Sequence, residues 1–487
     1  MIGSFDDTIA AIATPVGPGG VAVIRMSGPR ATAIAQRLFR HPDGTPLDPP
    51  LPDRPGKQLL VGWIVDPDAP IPQTTRPGTG RLSAKAPDPA PVDEAIMLVF
   101  RAPHSYTTED VVEFQCHASI AGVQKILMLC LAAGARLAAA GEFTKRAFLG
   151  GRIDLAQAEA ICDVTSARTE RSLQAAISQL EGHLSDLTRR IRDQVKRVLA
   201  QLEASIDFPD EIEEWPAGDL SRSIGRIRGD IQDRLATATH GKLLREGVSL
   251  ALVGRPNVGK SRLLNALLRS DRAIVTDIPG TTRDVIEETL AIRGTCFRLI
   301  DTAGIRGDAA DAVEEQGIER SRRALSEADL RLVVVDGSQP LAPADLAVLE
   351  AASPHAGLVV VNKIDQVGDP RAAIASIRPH AHDMPIVAIS AKFGQGLEDL
   401  AQAVLELALG GEVATVSGVA INARHEAALR RAEESLDKAM DTASQAMPAD
   451  FVAIDLRAAV AALGEITGED LTEEVIDHIF ATFCVGK

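Results

Sequence analysis

The chain has 487 residues, too many for one ordinary hydrophobic core, which sets an expectation of about three domains. Its 51 Lys and Arg against 67 Asp and Glu give a formal charge of −16, which excludes a protein that coats nucleic acid by sequence-independent phosphate neutralisation; any RNA contact is local or shared with a partner. The five cysteines, at 116, 130, 162, 296 and 484, show neither CxxC spacing nor the paired Cys and His spacing of a zinc site, so neither a disulfide framework nor a structural metal is expected.

Taken in chain order, the opening MIGSFDDTIAAIATP carries no basic segment, and Asp6 and Asp7 stand where a signal peptide needs apolar residues, so a cytoplasmic protein is expected. No apolar run approaches the roughly 20 residues of a membrane helix; Ile126 to Ala133 reads as buried core and no membrane association is expected. Residues 1–150 alternate short β-branched runs with turn signals, predicting an α+β domain, and the Pro-, Asp- and Gly-rich stretch from His41 to Pro91 reads as a long loop around one strand near Leu59 to Ile64. From Glu170 to Phe208 apolar residues recur every three or four positions (Leu173, Ile177, Leu180, Leu184, Leu187, Ile191, Val195, Val198, Leu202), which predicts one long amphipathic helix. Arg424 to Met440 and Phe451 to Leu463 are its natural packing partners, so the helical domain is expected in two parts, 151–247 and 411–487. The basic clusters Arg189, Arg190, Arg192, Lys196, Arg197 and Arg320, Arg322, Arg323 lie among acidic residues and read as solvated helix faces.

Between the helical parts, Val248 to Val253, Phe297 to Ile300, Leu330 to Val335, Leu358 to Val361 and Ile386 to Ile389 are short apolar runs alternating with helical patterns. Such runs predict an inserted α/β domain over 248–410, with a mostly parallel sheet covered on both faces. Gly254-Arg-Pro-Asn-Val-Gly259-Lys260-Ser261 matches GxxxxGK[ST] and stands after a strand and before Leu263 to Leu268 in helical spacing. Its glycines let backbone N–H groups close around phosphate oxygens, Lys260 brings a cation to the β- and γ-phosphates, and the Ser261 hydroxyl can ligate magnesium. Asp301-Thr302-Ala303-Gly304, Asn362-Lys363-Ile-Asp365 and Ser390-Ala391-Lys392 each follow a strand. The Asp365 carboxylate can accept from both N1–H and the 2-amino group of guanine, a pairing adenine cannot reproduce, so GTP is the expected nucleotide.

This domain resembles the translation-factor-related P-loop GTPases, which have a Ras-like fold. The resemblance implies a nucleotide site built from Asn257, Val258, Gly259, Lys260, Ser261 and Arg262, the segment Thr276, Asp277, Ile278, Pro279, Gly280, Thr281 and Thr282, and the three strand-end motifs above. It implies Mg2+ on Ser261 and Thr282, with Asp301 reaching it through water. Ile305 occupies the place of the Ras-like Gln that orients water, and it can neither donate nor accept. Asn257 and the 276–284 segment resemble the potassium-dependent members, in which an Asn side chain and backbone carbonyls, here of Thr276 and Ile278 with Thr281 nearby, hold K+ against the phosphates. The same resemblance aligns Glu314 with a glutamate that orients the attacking water through a second water; an ordinary helix-entry carboxylate is the alternative.

The flanks carry a closer resemblance. Ala13-Thr-Pro, Gly19-Gly, Arg25-Met-Ser-Gly, Ser105-Tyr-Thr-Thr-Glu-Asp-Val-Val-Glu113, Gly141-Glu-Phe-Thr-Lys-Arg-Ala-Phe148, Asp154-Leu-Ala-Gln-Ala-Glu159, Ile206-Asp-Phe-Pro-Asp210 and Phe483-Cys-Val-Gly-Lys487 are similar to the MnmE/TrmE family of tRNA-modification GTPases across nearly the whole chain. The resemblance implies an amino-terminal domain that forms a homodimer and binds 5-formyl-tetrahydrofolate through Arg25, Glu113, Arg152 and Lys487. It further implies a flavoprotein partner (MnmG/GidA) and addition of an aminomethyl or carboxymethylaminomethyl group to C5 of the tRNA wobble uridine. Cys484 stands either as a nucleophile or as a plain free thiol. Gln115-Cys-His-Ala-Ser-Ile departs from the Gly-rich sequence the family often has there. Two other readings remain open: a ribosome-assembly GTPase, and a folate-binding scaffold whose G domain switches partner affinity.

Overall fold

A computed structural model of the chain describes residues 6–69, 90–208, 210–211, 215–270, 289–300, 328–408, 421–445 and 447–487. Its contacts divide the chain into two compact units, Met1–Glu159 with Thr467–Lys487, and Ala160–Ile466.

The first unit is built on a seven-stranded sheet of order β3-β4-β5-β6-β2-β1-β7. Its strands are β1 (Ile9–Ile12), β2 (Gly19–Ser27), β3 (Phe39–Arg40), β4 (Gln58–Asp66), β5 (Ala90–Phe100), β6 (Val111–Ala118) and β7 (Arg136–Leu137). The predicted strand near Leu59 to Ile64 is β4. All neighbours run antiparallel except β1 and β7, so one face can be covered while alternate side chains turn outward. On the covered face Ile24, Met26, Met97, Val99, Val112 and Phe114 pack against Ile34 and Leu38 of α1 (Ala31–Leu38) and Ile126 and Cys130 of α2 (Ile120–Ala132). The short α3 (Glu142–Leu149), which α4 (Leu155–Ser166) follows in the chain, packs on the helix Glu473–Ala481 through Phe148, Phe480 and Phe483, whose rings lie 6.0 and 5.0 Å apart in sequence. That contact brings the last residues of the chain alongside the residues that precede α3, with Val485 bridged antiparallel to Ala140.

In the second unit the expected single helix over Glu170 to Phe208 is two, α5 (Glu170–Leu180) and α6 (His183–Asp207). Gly182 separates them with φ +94°, a left-handed conformation in which a helix cannot continue. Leu184, Ile191, Val195, Val198 and Leu202 line the buried face of α6, while Leu173 and Ile177 of α5 are exposed. A further helix α7 (Ala217–Glu246), which the sequence reading did not identify, packs on the helix Ala423–Ser444; the predicted segment at Arg424 lies in the latter. The segment at Phe451 lies in Ala449–Thr467.

The α/β part holds a six-stranded sheet of order β13-β12-β11-β8-β10-β9. Its strands are β8 (Val248–Val253), β9 (Thr289–Ile292), β10 (Thr295–Ile300), β11 (Leu330–Asp336), β12 (Gly357–Asn362) and β13 (Ile386–Ala388). Only the β9–β10 pair is antiparallel, and the central β8, β11 and β12 are buried along their whole length, as a sheet covered on both faces requires. The carboxyl ends of β8, β12 and β13 therefore open on one edge, where an open parallel sheet takes its ligand. No helix among the described residues is long and apolar enough to cross a membrane.

Candidate functional site

The loop from Gly254 to Gly259 connects β8 to α8 (Lys260–Ser270), so the free N–H groups at the start of a helix face the loop that precedes it. Gly254 and Gly259 adopt φ of +149° and +103°, and Asn257 one of +65°. A Cβ at Gly254 would lie 2.3 Å from the Val334 carbonyl, and one at Gly259 the same distance from Asn362 Nδ2, so the close approach of β11 and β12 demands glycine at both positions. Lys260 Nζ donates to the Gly254 and Arg255 carbonyls at 2.6 and 2.9 Å, and burial pushes its ammonium below the ordinary lysine value. Ser261 and Arg262 complete the first turn of α8.

Asn362, buried at the end of β12, is the hub of this edge. Its Nδ2 donates to the Val258 carbonyl at 2.9 Å, while its Oδ1 accepts from the backbone of Lys363 at 2.8 Å and of Ala391 at 3.0 Å. One amide thus ties the phosphate-type loop to the two motifs assigned to the base. Asp365 lies in the short turn Ile364–Gln366, and Ser390 Oγ donates to its Oδ1 at 2.6 Å. Lys392 sets its ammonium 4.8 Å from the Phe393 ring centroid. Thr276, Asp277, Ile278, Pro279, Gly280, Thr281, Thr282, Asp301, Thr302, Ala303, Gly304 and Glu314 lie outside the described residues.

Two supports of this edge were not found from the sequence. Lys363 takes φ +65° and its Nζ meets Asp336 Oδ2 at 2.6 Å; burial works to raise the Asp336 carboxyl, but the bonds from Lys363 and Ser338 outweigh it and hold it below the ordinary value. Arg255 Nε donates to Asp345 Oδ1 at 2.7 Å, and the other oxygen of Asp345 accepts from Ala342 N at the start of the helix Pro343–Ala352. The end of β11 signals Asp336; nothing in the spacing signals Asp345.

A second cluster lies in the first unit. The β2–β6 register places Arg25 opposite Glu113, and Arg25 Nε donates to Glu113 Oε1 at 2.7 Å. The Arg25 guanidinium carbon also lies 5.1 Å from the Tyr106 ring centroid and 5.6 Å from that of Phe143, while Arg152 approaches Tyr106 at 4.6 Å. The chain terminus reaches the same place: Gly486 O accepts from Arg25 Nη1 at 3.4 Å, and Lys487 O accepts from Phe143 N at 3.2 Å. Arg25, Glu113, Arg152 and Lys487, separate in sequence, are thus brought together, with Tyr106 and Phe143 as members that had been assigned no role. Cys484 is exposed nearby, and its carbonyl accepts from Gly141 N at 3.3 Å. One carboxylate beside two guanidinium groups suits a ligand that offers both hydrogen-bond donors and negative charge.

Beneath this cluster Arg146 is fully buried with Asp7, Glu109 and Glu142. Burial works to raise the Asp7 and Glu142 carboxyls, and the bonds from Arg136 and Arg146 overcome it, lowering both. Ser27 Oγ bonds Thr107 Oγ1 and Glu109 Oε2, each at 2.6 Å, which pins the segment carrying Tyr106 to β2.

Family models match most of the chain: the GTP-binding protein TrmE N-terminus over residues 8–152 and the MnmE helical domain over residues 155–484. The tRNA modification GTPase MnmE of Geobacillus thermodenitrificans is 45% identical over 484 residues, 99% of each chain, and that of Synechococcus elongatus 44% identical over 491 residues, 100% of each. Among solved structures, Era in complex with MgGDPNP and nucleotides 1506–1542 of 16S ribosomal RNA is similar over 39% of this chain and 66% of its own, at 27% identity and a TM-score of 0.25. The chain belongs to the MnmE family of tRNA modification GTPases.

Proposed function

We propose that this tRNA modification GTPase acts on C5 of the wobble uridine, adding an aminomethyl or carboxymethylaminomethyl group in the cytoplasm. In this reading it works as a homodimer with a flavoprotein partner (MnmG/GidA), and a formyl-folate held at Arg25, Glu113, Arg152 and Lys487 donates the carbon unit. The observation that carries the nucleotide half is the convergence on Asn362 of the Val258 carbonyl and the Ala391 amide, which supports a site reading phosphate and guanine at once. The functional division we propose is 1–150 for folate and dimerisation, 248–410 for GTP, and 151–247 with 411–487 for the helical part.

The residues would divide the work as follows. Backbone N–H groups of the loop and the Lys260 ammonium hold the β- and γ-phosphates, and Asp365 accepts from the guanine edge while Ser390 fixes its orientation. Ser261 and Thr282 would hold magnesium; Asn257, Thr276, Ile278 and Thr281 would hold potassium. Bound there, these cations would supply neutralisation of the charge that builds on the phosphates. Glu314 orients water for attack, a role Ile305 cannot fill, and Cys484 is placed on the terminal segment beside the Arg25 cluster.

Mass spectrometry of tRNA nucleosides from cells lacking the chain, complemented with wild type or with Asp301→Ala, tests the reading. Loss of the C5-modified wobble uridine, restored by wild type alone, is the expected result; an unchanged nucleoside profile overturns it. GTP turnover by the purified protein is expected in potassium and to collapse in sodium, and equal turnover in both removes the potassium site.

A further inference from the structure

We propose that the exposed face of α6, with the groove it forms against α5 and α7, binds the phosphate backbone of tRNA. The inference rests on the tRNA activity of the family and gives that substrate a place on this chain. At a formal charge of −16, RNA can be met only where cations outnumber carboxylates locally. Over residues 186–197 five cations, Arg189, Arg190, Arg192, Lys196 and Arg197, stand against two carboxylates, Asp186 and Asp193. Arg192 is buried, and the other four cations are exposed.

Helical spacing sets these four in two rows. Arg190 and Arg197, like Arg189 and Lys196, are two turns apart, about 10 Å along the axis, so the face presents cations to more than one phosphate. A surface helix ordinarily neutralises such a face with pairs three or four residues apart. Asp186 does so for Arg189, at 3.4 Å, whereas among the described residues no carboxylate bonds Arg190, Lys196 or Arg197; Arg190 Nε donates to the Asp186 carbonyl at 3.3 Å.

Where α6 starts, the fold adds depth to the charge. A groove of about 860 Å³ opens between α5, α6 and α7, lined by Ser178, His183, Arg189, Arg190 and Arg234. Its three guanidinium groups come from two helices, and the Ser178 hydroxyl, bonded to His183 Nδ1 at 2.9 Å, joins them from the third. Guanidinium forks and hydroxyls are donors that phosphate oxygens accept. Asp186 and Asp193 line the groove as well, which lowers its pull on polyanions in general and offers acceptors to ribose 2′-hydroxyl groups.

The test is fluorescence anisotropy of labelled, unmodified tRNA titrated with the full chain at several KCl concentrations. The double variant Lys196→Gln with Arg197→Gln is expected to weaken tRNA about tenfold and to lower the slope of log Kd against log salt by about 2. Arg190→Gln is expected to lower that slope by about 1. GTP turnover measured without tRNA keeps the wild-type rate in all of these, which shows that they fold. Lys57→Gln with Arg371→Gln makes the same charge change at exposed residues elsewhere and is expected to bind tRNA as the wild type does. Equal weakening by that control overturns the inference, and so does wild-type affinity and salt slope in the α6 variants; in the latter case, loss of the modified nucleoside from cells carrying them assigns the face to a protein partner. No binding of tRNA by the wild-type chain alone overturns it too, while the nucleoside profile decides the tRNA-modification reading separately.

Discussion

At the scale of single residues, the nucleotide edge is organised by Asn362, whose amide nitrogen and oxygen are both in use, and by the pair Ser390 and Asp365. Ser390 Oγ donates to Asp365 Oδ1 at 2.6 Å, and this bond survives replacement of the carboxylate by an amide, because the amide keeps an accepting oxygen. The base-facing chemistry does not survive: an amide NH2 meets the donating 2-amino group of guanine. Asp365→Asn is therefore expected to weaken GTP by about 100-fold and to gain affinity for xanthosine triphosphate, whose C2 carbonyl accepts from that NH2. Competition of the two nucleotides for one fluorescent guanine nucleotide measures this, and an unchanged preference for GTP would show that Asp365 serves only to hold Ser390. These residues were legible in the sequence because phosphate loops and guanine recognition constrain local spacing. Arg25 and Glu113 were not legible by spacing, since 88 positions and a cross-strand register join them, and only their likeness to a family pointed to the pair. Arg146, buried among three carboxylates, lies in a segment that resembles the family but carried no signal of its burial; an arginine in a sequence reads as surface until the fold encloses it.

At the scale of elements, periodicity located the helices and missed where their axes turn. Leu180 and Leu184 keep helical spacing across Gly182, so the apolar pattern continues while the backbone, at φ +94°, does not. The opposite error hid α7: Leu220, Ile224, Ile227 and Ile231 recur at helical spacing and are buried, but Gly225 and Gly229 between them lower helix propensity. The terminal segment is positioned by a backbone requirement of the same kind. Gly486 adopts φ +95°, and a Cβ there would lie 2.3 Å from the Ile12 carbonyl and 3.0 Å from Ala13 Cα. Gly486→Val must displace the segment from β1, at a cost of about 1–3 kcal/mol to its docking, and with it the carbonyl that faces Arg25. Formyl-folate affinity is expected to fall at least tenfold while GTP affinity is unchanged; titration calorimetry with each ligand checks both. Unchanged folate affinity would mean that the terminal segment is a neighbour of the Arg25 cluster and no part of it.

At the scale of the whole molecule, the division into two compact units separates the two proposed ligands. The Arg25 cluster lies wholly within Met1–Glu159 with Thr467–Lys487, and the Asn362 edge wholly within Ala160–Ile466, each unit with its own apolar core. A ligand stabilises the unit that binds it in proportion to the logarithm of its excess over Kd, about 2.7 kcal/mol at 100 times Kd. If each core melts as its own cooperative body, scanning calorimetry of the full chain shows two transitions: GDP with magnesium raises the one belonging to the second unit, and 5-formyl-tetrahydrofolate raises the other. Acid provides an independent label for the first unit. The folded-state lowering of Asp7 and Glu142 supplies stability that is present above the ordinary carboxylate range of about 4 and is lost as pH falls through their lower folded values, so that transition drops on acidification. Asp336 is lowered in the same way in the second unit, but among the described residues it is the one carboxylate so lowered there, against Asp7, Asp43, Asp66 and Glu142 in the first. The first unit's transition should therefore fall faster as pH drops below about 4, because more of its carboxylates take up protons on unfolding. One transition that both ligands raise equally would instead mean that the two cores unfold together, and GTP binding would then be coupled to the folate cluster through stability alone.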